Sequence, residues 1–297
     1  MSLVIVGSIA FDTIESPAGK VVDALGGSAV YGSLSASHFT DVRIVGVVGT
    51  DFPNSAIDLL KSRNICVNGL EVVEGKTFRW SGVYENFNQA QTLFTELNVF
   101  ADFEPKLPTS CSSCHTLFLA NIHPDLQHKV LDDVKQYSLV ACDTMNYWIT
   151  LCPDRLRELI QRVDILFINE DEIRQLTGIR DIFAAARSIH DMGVKLVVIK
   201  RGEYGSVTVS RDSFYFAPAY PIPQVKDTTG AGDSFAGGFL GYLTEVGSLD
   251  DEHIRKAVLY GTVMAALDVS EFSVDALAKT DRATIDEMLG NLKQWTC

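Results

Sequence analysis

The feature that most restricts the fold is an alternation. Short, apolar, β-branched runs recur between segments of helical spacing. Leu3–Ile9, Val42–Val48, Thr116–Asn121, Leu139–Asp143, Ile165–Ile168 and Leu196–Lys200 read as strands buried on both faces. Helical patterns separate them at Ser28–Phe39, Asn54–Arg63, Pro124–Gln136, Pro153–Arg162, Glu170–Leu176 and Ile182–Met192. Such repetition needs crossover connections, so it predicts a parallel sheet with helices on both faces. A hairpin pattern at Ser206–Phe216 follows, then helices at Gly232–Glu245, Asp251–Leu267 and Arg282–Trp295. With 297 residues, 46% of them hydrophobic, the chain can bury this core without disulfide or metal staples.

One region breaks the rhythm, from about Cys66 to Phe103. Thr77–Tyr84 and Thr92–Asn98 alternate and are rich in aromatic and β-branched residues, which predicts antiparallel strands with one exposed face. A small sheet inserted early in an α/β fold is a candidate lid or dimer surface. Its aromatics Phe78, Trp80, Tyr84 and Phe94 suit lid packing or a dimer contact better than a substrate cover.

Charge narrows the partners. Lys plus Arg is 25 against 38 Asp plus Glu, a net charge of −13. That surface repels nucleic acid and anionic membranes, so neither is expected as a partner. A phosphate-rich ligand must then be held locally, by helix N-termini, backbone N–H groups, a cation or a metal. The N-terminus has no basic region or cleavage site, and no apolar run reaches the ~18–20 residues of a membrane helix. With six scattered cysteines, a reduced cytoplasmic chain is expected.

Several motifs fail on inspection. Cys111–His115 spells C-x-x-C-H, but without a distal ligand or a second ligand pair it reads as a surface turn. Gly69–Thr77 nearly spells a P-loop and is one residue too long. The first strand lacks G-x-G-x-x-G, and neither zinc-protease histidine patterns nor G-x-S-x-G occur.

The most informative segment is Asp227-Thr-Thr-Gly-Ala-Gly-Asp-Ser-Phe-Ala-Gly-Gly-Phe239. A glycine-rich turn runs into a helix. The N–H groups of Gly230, Ala231, Gly232 and Asp233 would fall at its first turn, unpaired and offered to an anion. A carboxylate at that spot is anomalous. Asp233 is either an N-capping residue or a general base facing a hydroxyl while the amides stabilise a phosphoryl group.

This string resembles the C-terminal signature of the ribokinase (PfkB) family of carbohydrate and nucleoside kinases. Other segments fall in that family's order: Gly7–Asp12, Gly26-Gly27 opening a helix, Asn169-Glu-Asp-Glu172, and Lys200-Arg-Gly202-Glu-Tyr-Gly205. The resemblance implies one ribokinase-like kinase domain over residues 1–297. The fold would be a three-layer α/β/α with a mostly parallel central sheet. A small β-sheet lid would come from about 12–25 and 70–103. It implies an ATP-dependent kinase phosphorylating a primary hydroxyl of a sugar, with a nucleoside as the alternative acceptor. A non-catalytic sensor on the same fold is the rival from another class.

Site roles follow from the same resemblance. Asp233 would be the base, and Gly230, Ala231 and Gly232 the anion hole. Asp12, Gly26, Gly27, Ser28, Tyr31, Asn121, Asp143 and Asn146 would line the acceptor site. Asn169, Glu172, Lys200, Gly202 and Gly205 would serve ATP, with Glu172 acting on Mg²⁺ through water. Asn169 also suits a helix N-cap. Lys200 stands where relatives often have Thr, and either assists the phosphates or offsets local acidity. Asp227 and Thr229 would adjoin a monovalent cation such as K⁺. The chain departs from ribokinase proper at Ala10, Ser28 and Tyr31, which thins the ribose-reading polar fork. The Tyr31 ring would stack on a substrate or fill volume. Arg79 is a weaker candidate for an anionic substrate group. A homodimer through the lid is a further expectation.

Overall fold

The structure is a computed structural model describing residues 1–87 and 90–296. Strands β1 (Ser2–Val6), β2 (Ala10–Ser16) and β3 (Gly19–Gly26) precede helix α1 (Ser28–Ala36). Next come β4 (Asp41–Gly49), α2 (Asn54–Ser62), β5 (Ile65–Val73), β6 (Phe78–Tyr84), β7 (Ala90–Glu96) and β8 (Thr116–Leu119). The chain continues through α3 (Pro124–Asp133), β9 (Leu139–Asp143), α4 (Asn146–Leu151), α5 (Pro153–Ile160) and β10 (Ile165–Asn169). Then follow α6 (Glu170–Thr177), α7 (Ile182–His190), β11 (Leu196–Lys200), β12 (Ser206–Ser210) and β13 (Phe214–Ala217). Helices α8 (Ala231–Val246), α9 (Asp251–Val269), α10 (Asp275–Lys279) and α11 (Arg282–Thr296) end it.

The main sheet has nine strands in the order β13-β12-β11-β10-β9-β8-β1-β4-β5. From β11 to β5 every pairing is parallel, and β12 and β13 form an antiparallel hairpin at one edge. Both faces are covered, as continuous apolar strands require. In β1, Leu3 and Ile5 join one core cluster while Val4 and Val6 join the other. In β10, Ile165 and Phe167 divide from Leu166 and Ile168 in the same way. Successive residues thus feed opposite helix layers, giving the expected α/β/α sandwich. Among the described residues no helix is long and apolar enough to cross a membrane.

One helix pair places the site. α1 and α8 carry small residues where they meet, so their backbones come close. A methyl group on Gly237 would lie 2.3 Å from Gly32 O, and Ser35 Oγ donates to Ser234 O at 2.6 Å. The Gly26-Gly27 turn before α1 and the Gly230–Gly232 turn before α8 are therefore held side by side.

A smaller sheet has the order β3-β2-β6-β7. The expected antiparallel pair is there as β6 and β7, but β2 pairs with β6 in parallel. The expected lid segment 70–103 needs trimming. Residues 65–73 form β5, an edge strand of the main sheet paired in parallel with β4. Its half-exposed, polar-interrupted pattern imitates a lid strand, because an edge strand has only one partner. Leu3–Ile9 is also shorter as a strand than expected, ending at Val6. Cys111 lies in a turn, as read, but is fully buried rather than on the surface. Cys66, Cys111, Cys114, Cys142 and Cys152 are free thiols, and Cys297 lies outside the described residues.

Candidate active site

Three neighbouring strands, β9, β10 and β11, end at Asp143, Asn169 and Lys200. Asn169 and Lys200 are direct cross-strand partners. This is the carboxyl edge of the parallel sheet, where open α/β folds gather ligands. The first turn of α8 faces the same edge.

Gly230 caps α8 in the left-handed region, at φ 82°. A methyl group there would also stand 2.4 Å from the Tyr31 ring, so the position demands glycine twice over. No side chain among the described residues caps the helix. One N–H expected in the anion hole is engaged within the turn. The Ala231 N–H turns back to Thr228 O at 3.3 Å. The N–H groups of Gly230, Gly232 and Asp233 have no acceptor among the described residues, leaving a cup of three donors. Asp233 stands in that cup. Burial first, then Asp143, push its carboxyl up to about 7, against the pull of Lys200.

Lys200 Nζ donates to Asp143 Oδ2 at 2.6 Å. Asp143 is 3% exposed, and its Oδ1 accepts the Thr144 N–H. Both oxygens are thus engaged inside the protein. Burial works against the ammonium, but Asp143 and then Glu172 outweigh it and raise the Lys200 pKa. Glu172 forms a capping box with Asn169. Asn169 Oδ1 accepts from the Glu172 N–H at 2.8 Å, and Glu172 Oε2 accepts from the Asn169 N–H at 2.9 Å. Burial pushes Glu172 up to about 7, with Lys200 opposing. The Asn146 N–H also reaches this carboxylate, while Asn146 itself is exposed at the start of α4.

Asp12, expected at the acceptor site, is 4% exposed. Burial, then Asp227 and Asp233, push it up to about 8, and a hydrogen bond from the Gly27 N–H pulls the other way. Its Oδ2 would lie 1.9 Å from any Cβ on Gly26, so Gly26 makes its room. Gly27 adopts φ 95°. Ser28 and Ser8 exchange N–H to Oγ hydrogen bonds at 3.1 Å, stitching the Gly-Gly turn to the end of β1. Tyr31 is 1% exposed and packs under Gly230 as core volume, so its ring offers no face to a substrate. Asn121 Oδ1 accepts from Trp148 Nε1 at 2.9 Å. Gly202 and Gly205 take φ 55° and 81° around a short 3₁₀ turn after β11, and Gly205 packs against the Ala217 carbonyl.

The turn before α8 is pinned from two sides. Asp227 accepts the Thr229 N–H at 2.8 Å and the Ser273 N–H at 3.3 Å. From the small sheet, Tyr84 OH lies 3.0 Å from Thr229 Oγ1, and Phe87 O accepts from Thr228 Oγ1 at 2.8 Å. Arg79 is occupied elsewhere, bridging Asp51 at 2.9 Å and Asp23 at 3.4 Å.

Sequence reasoning missed Ser8 and Asp268, and read Tyr84 only as a lid aromatic. Asp268 is 1% exposed in α9, with neither oxygen hydrogen-bonded among the described residues. Burial, then Asp227, raise its pKa far above the ordinary value. A carboxylate inside the apolar run Met264–Val269 is the signal that could have found it.

The carboxyl edge of the parallel sheet thus carries a glycine helix start, a partly buried carboxylate and a lysine, an arrangement suited to binding phosphate. Comparison with known proteins bears this out. Residues 3–281 match the pfkB family carbohydrate kinase. A cytidine kinase of Thermococcus kodakarensis is 35% identical over 246 residues, covering 81% of this chain and 87% of that protein. A deoxyribokinase of Salmonella typhi is 27% identical over 84% of this chain and 83% of its own length. Among solved structures, the Methanocaldococcus jannaschii nucleoside kinase superposes with TM-score 0.78 at 21% identity, over 98% of both chains. A putative ribokinase II of E. coli in complex with ATP and Mg²⁺ reaches TM-score 0.80 at 17% identity, over 98% of this chain and 99% of its own. The chain belongs to the PfkB family of carbohydrate kinases, and is an ATP-dependent sugar or nucleoside kinase of the ribokinase type.

Proposed function

We propose that the protein transfers the γ-phosphoryl group of ATP to a primary hydroxyl of a sugar or nucleoside. The observation that carries this reading is Asp233, a partly buried carboxylate raised to about 7, standing in the unpaired N–H cup that opens α8. Asp233 takes the proton of the acceptor hydroxyl. The oxygen attacks phosphorus, the bond to the bridging oxygen breaks, and ADP leaves with the electron pair. The Gly230, Gly232 and Asp233 amides hold the charge of the phosphoryl group in transit. Asp12 holds acceptor hydroxyls at the other end of the cleft, and the small sheet acts as the lid that excludes water.

Mg²⁺ fits as a mostly hydrated ion. Among the described residues no three acidic, histidine or cysteine side chains converge on one point. Its ligands would come from phosphates and water, with Glu172 accepting from that water. When bound, Mg²⁺ supplies charge neutralisation at the phosphates. A monovalent cation such as K⁺ would sit beside Asp227 and Thr229, where Asp227 and Asp268 are buried carboxylates without a counter-ion among the described residues.

A nucleoside acceptor gains weight over a free sugar from the 35% identity to a cytidine kinase. The test is ATP consumption with a panel of pentoses, hexoses and nucleosides, with and without K⁺. Asp233→Asn should lower kcat by about 10²–10⁴-fold while nucleotide affinity persists. Near-normal turnover in that variant would remove Asp233 as the base.

A further inference from the structure

The cup that opens α8 holds a contradiction. Its amides attract an anion, yet Asp233 adds negative charge beside them, and Asp143 and Glu172 stand close by. Asp143 raises the Asp233 pKa, and Asp143 with Glu172 raises that of Lys200, so the four groups share one field. Among the described residues the one cation in it is Lys200, and its position is specific. A methyl group on Gly232 would stand 2.9 Å from Lys200 Nζ, and 3.5 and 3.6 Å from Cδ and Cε. The ammonium thus lies against the first turn of α8. Glycine at 232 leaves room for it as well as for a ligand.

The ammonium is also unfinished. It has three donors. Among the described residues only one is spent, on Asp143, although the side chain is just 19% exposed. A lysine that merely neutralised Asp143 would not need to reach the α8 turn.

We infer that Lys200 is a catalytic residue that contacts the phosphoryl group in transit, with Asp143 as the buried counter-ion that holds it in place. This deepens the phosphoryl-transfer reading above and rests on it. Lys200 stays protonated throughout. The hydroxyl proton goes to Asp233, the P–O bond to ADP breaks, and the new P–O bond forms to the acceptor. Lys200 donates its two spare N–H groups to phosphoryl oxygens and offsets the charge that Asp233 brings to the cup.

The test must separate a phosphoryl contact from a structural counter-ion. Lys200→Met alone leaves Asp143 buried and unpaired, which threatens folding. The double variant Lys200→Met/Asp143→Asn removes both charges. Its probe is the thermal unfolding midpoint with ADP and Mg²⁺, then with aluminium fluoride added as a planar phosphoryl mimic. Wild type should gain stability with ADP and gain again with the fluoride. The double variant should keep the first gain and lose most of the second. Its kcat should stay about 10²–10³-fold below wild type, the cost of losing one oxyanion donor.

Three outcomes overturn the inference. A double variant with the full second gain, or with kcat within tenfold of wild type, makes Lys200 a counter-ion only. Loss of the ADP gain moves Lys200 to the standing phosphates of the nucleotide. A wild type without the second gain removes the site. None of these readouts depends on Asp233, whose own variant decides the parent reading separately.

Discussion

Two helices begin at the same sheet edge and are finished in opposite ways. α6 closes its own N-terminus, because Asn169 and Glu172 satisfy each other's backbone N–H groups in a capping box. α8 begins on Gly230, which has no side chain to offer. A good N-cap is worth about 1 kcal/mol. The protein keeps that stability at one end and forgoes it at the other. The difference teaches that polarity alone does not mark a ligand site at a helix start. The marker is what the local chain leaves unpaired.

Both ends carry a carboxyl raised to about 7, Glu172 at α6 and Asp233 at α8. Acidification should separate their consequences. Below pH 7 Asp233 is protonated and cannot take a proton, so kcat/KM should fall about tenfold per pH unit. Stability should move the other way. Asp12, Glu172 and Asp233 all have folded pKa values above the ordinary carboxyl range of about 4. The folded state therefore holds more protons than the unfolded state between about pH 4 and pH 8, so stability falls as pH rises through that window. Rate profiles and thermal melts from pH 5 to 8 check both directions. Parallel loss of activity and stability on acidification would undo the assignment.

Closing the open end is the next largest effect. Gly230→Ala forces a left-handed residue, costing about 1–2 kcal/mol, and pushes on Tyr31 besides. Turnover should drop about tenfold or more as the cup distorts. Urea unfolding beside steady-state kinetics measures both. Unchanged values would mean that the open end is no more specialised than the closed one.

Opening the closed end is the smallest effect. Asn169→Ala should cost about 1 kcal/mol, seen as a melting point lower by roughly 2–4 °C. A loss several times larger would show that the α6 cap supports the whole edge rather than one helix.

Much of the fold was legible because buried parallel strands are apolar on both faces. The stretches Leu139–Asp143 and Leu196–Lys200 coincide with β9 and β11 to the residue. β5 was misread because an edge strand has one partner and mixed exposure. β3 was expected only as part of the lid segment 12–25, without strand bounds, because Gly19–Gly26 is half exposed and carries Lys20 and Asp23. In the site, the glycine turn and Asp233 were legible as local chemistry. The Ala231 amide was not, because its bond to Thr228 O depends on the turn that the chain makes.

Local order settled the strand–helix rhythm, the glycine turns and the Asn169–Glu172 cap, since each is decided by residues within a few positions of one another. The partners of Lys200, the burial of Tyr31 and the orphaned state of Asp268 were decided only by the tertiary fold. Lys200 and Asp143 are 57 positions apart, and buried Asp268 feels the charge of Asp227 from a distant part of the chain. Charge and burial act through space, so their values exist only once distant strands and helices are brought to a common edge.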